Sequence, residues 1–211
     1  MTIENGPAEP EGRSAVLHKK SDLGSKVVMH SREVYLEKTD AELIEEGAKI
    51  TLMNWANCTI SKKEILADGR INLTGTIDED DKDFKGTIKV TWLCADPATL
   101  CEVDCVELGH LITKQKIEEA DEIKDIVNNN SRVVTTAYAE GCVRNLQHGT
   151  TFQFERNGYY FVDKIPLQDQ RMTLIMVPDG KQKNMSVIKT AIDQKETVMG
   201  GTGKVDKAGG K

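Results

Sequence analysis

Apolar residues recur at every second position through much of the chain, the period of a half-buried strand. Lys49 to Asn54 puts Ile50 and Leu52 on one side, and Cys58 to Ile65 continues as a second strand after Trp55-Ala56-Asn57. Asp68-Gly69 predicts a tight hairpin turn. Ile71 to Ile77 returns from it with Ile71, Leu73, Gly75 and Ile77 in one phase. Thr87 to Leu93 predicts a strand with Ile88, Val90 and Trp92 inward, and Cys101 to Val106 follows the same rule. Val27-Val28-Met29 and Val34-Tyr35-Leu36 predict short strands around a polar His30 to Glu33 turn. Thr151 to Arg156, Tyr159 to Asp163 and Thr173 to Val177 predict three late strands. Short strands on this beat, with turn residues between them, point to a mainly β chain built as barrels or a sandwich.

Helix is sparse in the pattern. Thr39-Asp40-Ala41-Glu42 has the look of a capping box. Lys116 to Asn128 predicts an amphipathic helix with Ile117, Ala120, Ile123 and Val127 on one stripe, and Cys142 to Leu146 one more helical turn. Three segments follow: a leading strand and loop over 1–20, expected to be partly disordered; a folded region over 21–178; and a Gly- and Lys-rich stretch over 179–211, expected to be a flexible basic tail.

Composition sharpens this picture. Aromatics make up 5% of the 211 residues, so the core must rest on Val, Ile and Leu. The net charge is −6, split between +4 over residues 181–211 and −10 over the remainder. An acidic body argues against a general nucleic-acid binder, whose affinity comes from counterion release by many Lys and Arg. Any nucleic-acid contact would fall to a few local positive groups. No apolar run nears the ~20 residues of a membrane helix, and the first residues lack the basic start and apolar stretch of a signal peptide. Five cysteines suit reduced thiols in a cytoplasmic protein rather than a disulfide framework.

Candidate chemistry is thin. Cys94, Cys101, Cys105 and His110 resemble a ligand cluster, but without the spacing of a zinc site, and Cys101, Val103 and Cys105 form the apolar phase of a strand. No metal is therefore expected. The four histidines lie in no nucleophile signature, so no catalytic residue is expected either. Gly200 to Lys204 imitates a phosphate loop, yet Val205 stands where a magnesium ligand is required. The block Phe152 to Phe161 is different. Gln153 and Arg156 stand at a strand end beside Gly158, among aromatics. Arg can read a base edge as a planar fork and Gln offers donor and acceptor together; neighbouring rings can stack an unstacked base. The plainer alternative is a core strand capped by a surface ion pair.

The order of blocks adds a resemblance. Leu17-His18-Lys19-Lys20 with Gly24-Ser25-Lys26 comes first, then Ile50 to Asn57, Lys89 to Leu93 and His110 to Lys114. Phe152 to Phe161 and Met176 to Gly180 follow. Together they resemble the C-terminal anticodon-binding region of the class I glutamyl- and glutaminyl-tRNA synthetases, nearest to the eukaryotic glutamyl type, including the glutamyl half of bifunctional glutamyl-prolyl enzymes. Ile50 to Asn57 is similar to the family's FINWGN block, and Phe152 to Phe161 to its FQFER motif.

The resemblance implies two tandem small β-barrels that grip the anticodon loop of a glutamate tRNA. It implies that Gln153 and Arg156 contact the middle anticodon uridine, with Asn54 and Trp55 in the anticodon site. Phe154, Trp55 or Tyr159 would supply stacking, and Lys19, Lys20 and Lys26 would hold the RNA backbone. Thr51 and Met53 stand where the glutaminyl type has arginines, which favours the glutamyl type. The family's catalytic Rossmann domain, with its HIGH and KMSKS motifs, is missing from these residues. The chain is thus expected to be a fragment or short product without cofactors of its own, ATP and magnesium belonging to the parent's catalytic domain. A second implied role is a protein-interaction module of a multi-synthetase complex, its basic tail serving as tether.

Overall fold

The structure is a computed structural model and describes residues 1–18, 22–166 and 170–178. It is mainly β, and its described residues divide into two compact units, residues 1–106 with 134–177, and a smaller one over residues 107–133.

The first unit begins with β1 (Thr2–Ile3), β2 (Glu11–Val16), β3 (Ser25–His30) and β4 (Val34–Leu36), then α1 (Lys38–Leu43). Next come β5 (Lys49–Leu52), β6 (Asn57–Ile65), β7 (Ile71–Asp78), β8 (Ile88–Val90), β9 (Trp92–Cys94) and β10 (Leu100–Leu108). One five-stranded sheet runs β1-β7-β6-β5-β8. Its buried positions are those the alternation marks: Ile50, Leu52, Ile60 and Leu73 are at most 1% exposed, and Ile3, Ile44, Val90 and Trp92 join them in one core. Gly69 supplies the left-handed residue of the β6–β7 hairpin at φ 80°.

β11 (Arg132–Glu140), β12 (Thr151–Phe154), β13 (Gly158–Lys164) and β14 (Met172–Val177) build the second five-stranded sheet with β10, in the order β11-β10-β14-β13-β12. β14 is parallel to β10 and antiparallel to β13. Val103, Tyr160, Val162, Met172 and Leu174 form a separate core beneath it, with Phe152 and Phe154 packed against them.

Among the described residues no pairing joins the ends of either large sheet, β1 to β8 or β11 to β12. Several expectations for single elements need correction. Thr87 to Leu93 is not one strand. β8 pairs with β5 and β9 with β4, so the chain changes sheets at Thr91, and Ile88 stays exposed. A period-two pattern reports burial and is blind to such a switch. β3 and β4 do not pair with each other, since β3 takes β2 as its partner. The leading segment carries β1 and β2, with Ile3 fully buried and paired to Gly75. No capping box forms at Thr39; the cap position is Glu37, and Asp40 is buried for another reason given below.

In the second unit the helix expected over Lys116 to Asn128 shrinks to α2 (Ile123–Ile126). Ile117, Ile123 and Val127 of the expected stripe are exposed. Isolated helices of this length are marginal without a packed apolar face. Backbone bonds of another kind take over: Thr113 N–H donates to Ile126 O and Asn128 N–H to Leu111 O, around an Ile112–Val127 bridge. Asp121 receives both Lys114 Nζ at 2.6 Å and the Glu118 N–H at 2.8 Å, which fixes a turn where the helix would have begun.

Candidate anticodon interface

Two hairpins, one in each large sheet, carry the residues of interest and share one geometry. Between β5 and β6, Trp55 N–H donates to Leu52 O at 3.1 Å, and Asn54 sits at the third position of the turn with φ 62°. Between β12 and β13, Asn157 N–H donates to Phe154 O at 3.0 Å, and Arg156 sits at the third position with φ 68°. Among the described residues these are the two non-glycine residues at positive φ. A type II turn asks for Gly or Asn there. Asn54 meets the demand cheaply and Arg156 does not, since an ordinary side chain in this region costs about 1–2 kcal/mol. A strained arginine at a turn corner persists only where its surroundings hold it.

The holding group is Asp40. Arg156 Nη1 donates to Asp40 Oδ2 at 2.5 Å and Nη2 to Oδ1 at 2.7 Å, an end-on fork. The Asp40 side chain is 6% exposed while that of Arg156 is 42% exposed. Asp40 lies on the apolar stripe of α1 with Ala41 and Ile44, an acid where the pattern wants a hydrophobe. The same turn is tied a second time, by Asn157 Nδ2 donating to Glu37 Oε1 at 2.8 Å. The hydrogen bonds to Asp40 raise the Arg156 pKa, so the fork stays charged.

Arg156 therefore has a partner that the sequence does not reveal, and the plainer alternative of an ion pair capping a core strand describes part of what is found. It is not folded inward, however. Gln153 is exposed directly across from Tyr159 in the strand register, and Tyr159 is half exposed and opposite Val177 of β14. The outward face of β12, β13 and β14 thus offers an amide, a phenol ring and an aliphatic edge in one row. The guanidinium stands at the end of the same hairpin.

The other expected contacts fare differently. Of the three proposed stacking rings, Phe154 turns toward the second core, 5.2 Å from Tyr160. Trp55 is half buried in a cluster with His30 and Trp92, at 4.6 and 4.8 Å between ring centres, and its Nε1 donates to Glu79 Oε1 at 3.1 Å. Tyr159 remains the ring turned to solvent. Lys26 is ion-paired with Glu140, which removes it as an unengaged phosphate contact. Lys19 and Lys20 lie outside the described residues. Asn54 is exposed on its turn. Cys94 lies against Ser31 Oγ at 3.2 Å, and among the described residues no group of three or more His, Cys, Asp or Glu side chains is placed to hold a metal.

His30 beneath the first hairpin gives a pH dependence. Its Nδ1 faces Val28 O at 3.0 Å, and burial lowers its pKa from the ordinary 6.5. The native state thus binds fewer protons than the unfolded chain once pH falls below about 6.5. Stability is expected to drop from there down toward the lowered folded value, and His30→Phe to flatten that slope. Denaturant midpoints taken between pH 7.5 and 5 measure it.

The model of the family described as "tRNA synthetases class I (E and Q), anti-codon binding domain" matches residues 1–78, and a second model of the same description matches 89–163. The chain belongs to this family. The first match ends on β7, and the second runs from within β8 into β13, short of β14. The chain is 36% identical over 190 residues to the probable cytoplasmic glutamate–tRNA ligase of Schizosaccharomyces pombe, covering 89% of this chain and 26% of that protein. It is 36% identical over 184 residues to the cytoplasmic glutamate–tRNA ligase of Saccharomyces cerevisiae, covering 84% and 25%. The bifunctional glutamate/proline–tRNA ligase of Mus musculus is 32% identical over 206 residues, covering 90% and 14%. The chain spans about a quarter of the length of the two yeast relatives.

Proposed function

We propose that this chain is the anticodon-reading part of a cytoplasmic glutamate–tRNA ligase, and that it reads the middle anticodon uridine through Gln153 and Arg156. No bond is made or broken within it; glutamate activation, with ATP and magnesium, belongs to the catalytic domain of the parent enzyme. The observation that carries the reading is the row of exposed Gln153 and Tyr159 next to a guanidinium held at the hairpin corner. Tyr159 stacks the base, Gln153 meets its hydrogen-bonding edge with a donor and an acceptor, and Arg156 adds charged donors. The paired first hairpin, with Asn54 at its corner, forms a second contact with the loop. Two separate cores, one for each large sheet, support the two-part build that the family resemblance implies.

The experiment is binding of an anticodon stem-loop of glutamate tRNA, with the middle base as U or as C, at one fixed salt concentration. The unmodified chain is expected to prefer U. Gln153→Ala and Arg156→Gln are each expected to shrink the preference by about 5–150-fold, the range for one well-formed base contact. Equal affinity for the two loops in the unmodified protein would sink the reading.

A further inference from the structure

Resting on that reading, we propose that Asp40 is a positioning residue for base recognition, which holds Arg156 so that it reads a base rather than grips phosphate. An arginine has four rotatable side-chain bonds, and one on an exposed turn would sweep many directions. Asp40 removes that freedom. It is short, buried, and fixed to α1, and both its oxygens engage the two terminal nitrogens of the guanidinium. A guanidinium has five N–H donors arranged in a rigid plane. The end-on pair with Asp40 uses one hydrogen on each terminal nitrogen. The side-on edge, Nε–H with the neighbouring Nη–H, points in another direction of the same plane, and the side chain is open enough to present it.

The second consequence is electrostatic. The carboxylate offsets most of the charge of the fork, so what remains is directional hydrogen bonding with little general pull on phosphate. That division matches an interface which discriminates without a basic field, on a chain whose first 180 residues are strongly acidic. The tie from Asn157 to Glu37 fixes the backbone of the same turn, so turn and side chain are both located by the start of α1. The strained φ of Arg156 fits this arrangement, because the corner is where the guanidinium reaches Asp40.

The test is the same pair of stem-loops, measured with Asp40→Asn across a series of salt concentrations. Asn keeps the shape and loses the charge. The U over C preference is expected to fall about tenfold. Binding to both loops is expected to become more salt-dependent, the slope of log affinity against log salt steepening by about 0.7, one added phosphate contact on a single strand. A merely structural role for Asp40 would not steepen that slope. Asp40→Glu, which keeps the charge and displaces the fork, is the second variant and is also expected to lose preference, without the added salt dependence. The proposal is overturned if both variants keep the preference of the unmodified chain while Arg156→Gln loses it. If Arg156→Gln keeps the preference as well, the role of Arg156 in reading the base fails, and this proposal with it.

Discussion

Gly75→Val is expected to destabilise the first core by about 3 kcal/mol or more, at the upper end of overpacking effects. Gly75 lies on the inward phase of β7, where every second residue is apolar. A Cβ built there would stand 2.7 Å from Thr59 O, 2.8 Å from Cys58 Sγ and 3.2 Å from the Ile60 side chain. The closest of these is a backbone carbonyl on β6, which cannot rotate away. The register explains the approach: β6 and β7 slip between Ile60 and Lys62, a bulge that carries the β6 backbone over Gly75, while β1 pairs with Gly75 from the other side. Glycine inside a strand often marks such a close backbone approach. Gly47→Ala is the control, since a Cβ there meets nothing within 4 Å and only its φ of 81° is strained. It should cost about 1–2 kcal/mol. Urea midpoints at unchanged slope would compare the two. A Gly75→Val loss no larger than that of Gly47→Ala would mean that β6 can move aside.

What the sequence makes legible follows from what period-two alternation encodes. It marks which side of a strand is buried, so Ile50, Leu52, Leu73 and Ile77 were readable, as was the Asp68-Gly69 turn. It carries nothing about which strand pairs with which, and so β8 and β9 read as one element, and the partners of β3 and β4 are not read at all. β11 leaves no such signal, because its run of Val133, Val134, Thr135 and Thr136 is β-branched yet exposed, with no alternation to mark it. The helix over Lys116 to Asn128 had the right stripe and no surface to receive it. At the interface, Gln153 and Arg156 were legible as residue types beside a turn. Asp40 was not, because its partner lies 116 residues away and only tertiary contact joins them. Its one trace is an acid on the apolar stripe of a short helix, a position at which a buried carboxylate needs a cationic partner.

Trp92→Ala is the other large effect, expected to cost about 3–5 kcal/mol, as for other buried aromatics truncated to alanine. Trp92 is 8% exposed and joins Trp55 and His30 in the cluster beneath the β5–β6 hairpin. Its Nε1 donates to Met53 O at 2.8 Å, and Met53 N–H donates to Val90 O at 2.9 Å. Met53 immediately precedes Asn54, so the corner of the hairpin hangs on β8 and β9 by these two bonds. Removing the indole opens a cavity under the turn and strands a half-buried carbonyl. At about 2–4 °C per kcal/mol for a chain of this size, the melting temperature should fall by roughly 6–20 °C. Trp92→Phe separates packing from tethering: it fills most of the space and cannot donate. It should cost about 1–3 kcal/mol, the penalty for one unmet buried acceptor. It should also weaken binding of the anticodon stem-loop equally for either middle base, because the Asn54 corner loosens while Gln153 and Arg156 stay in place on the other sheet. Loss of base preference in Trp92→Phe would show instead that the two hairpins do not act independently on the RNA.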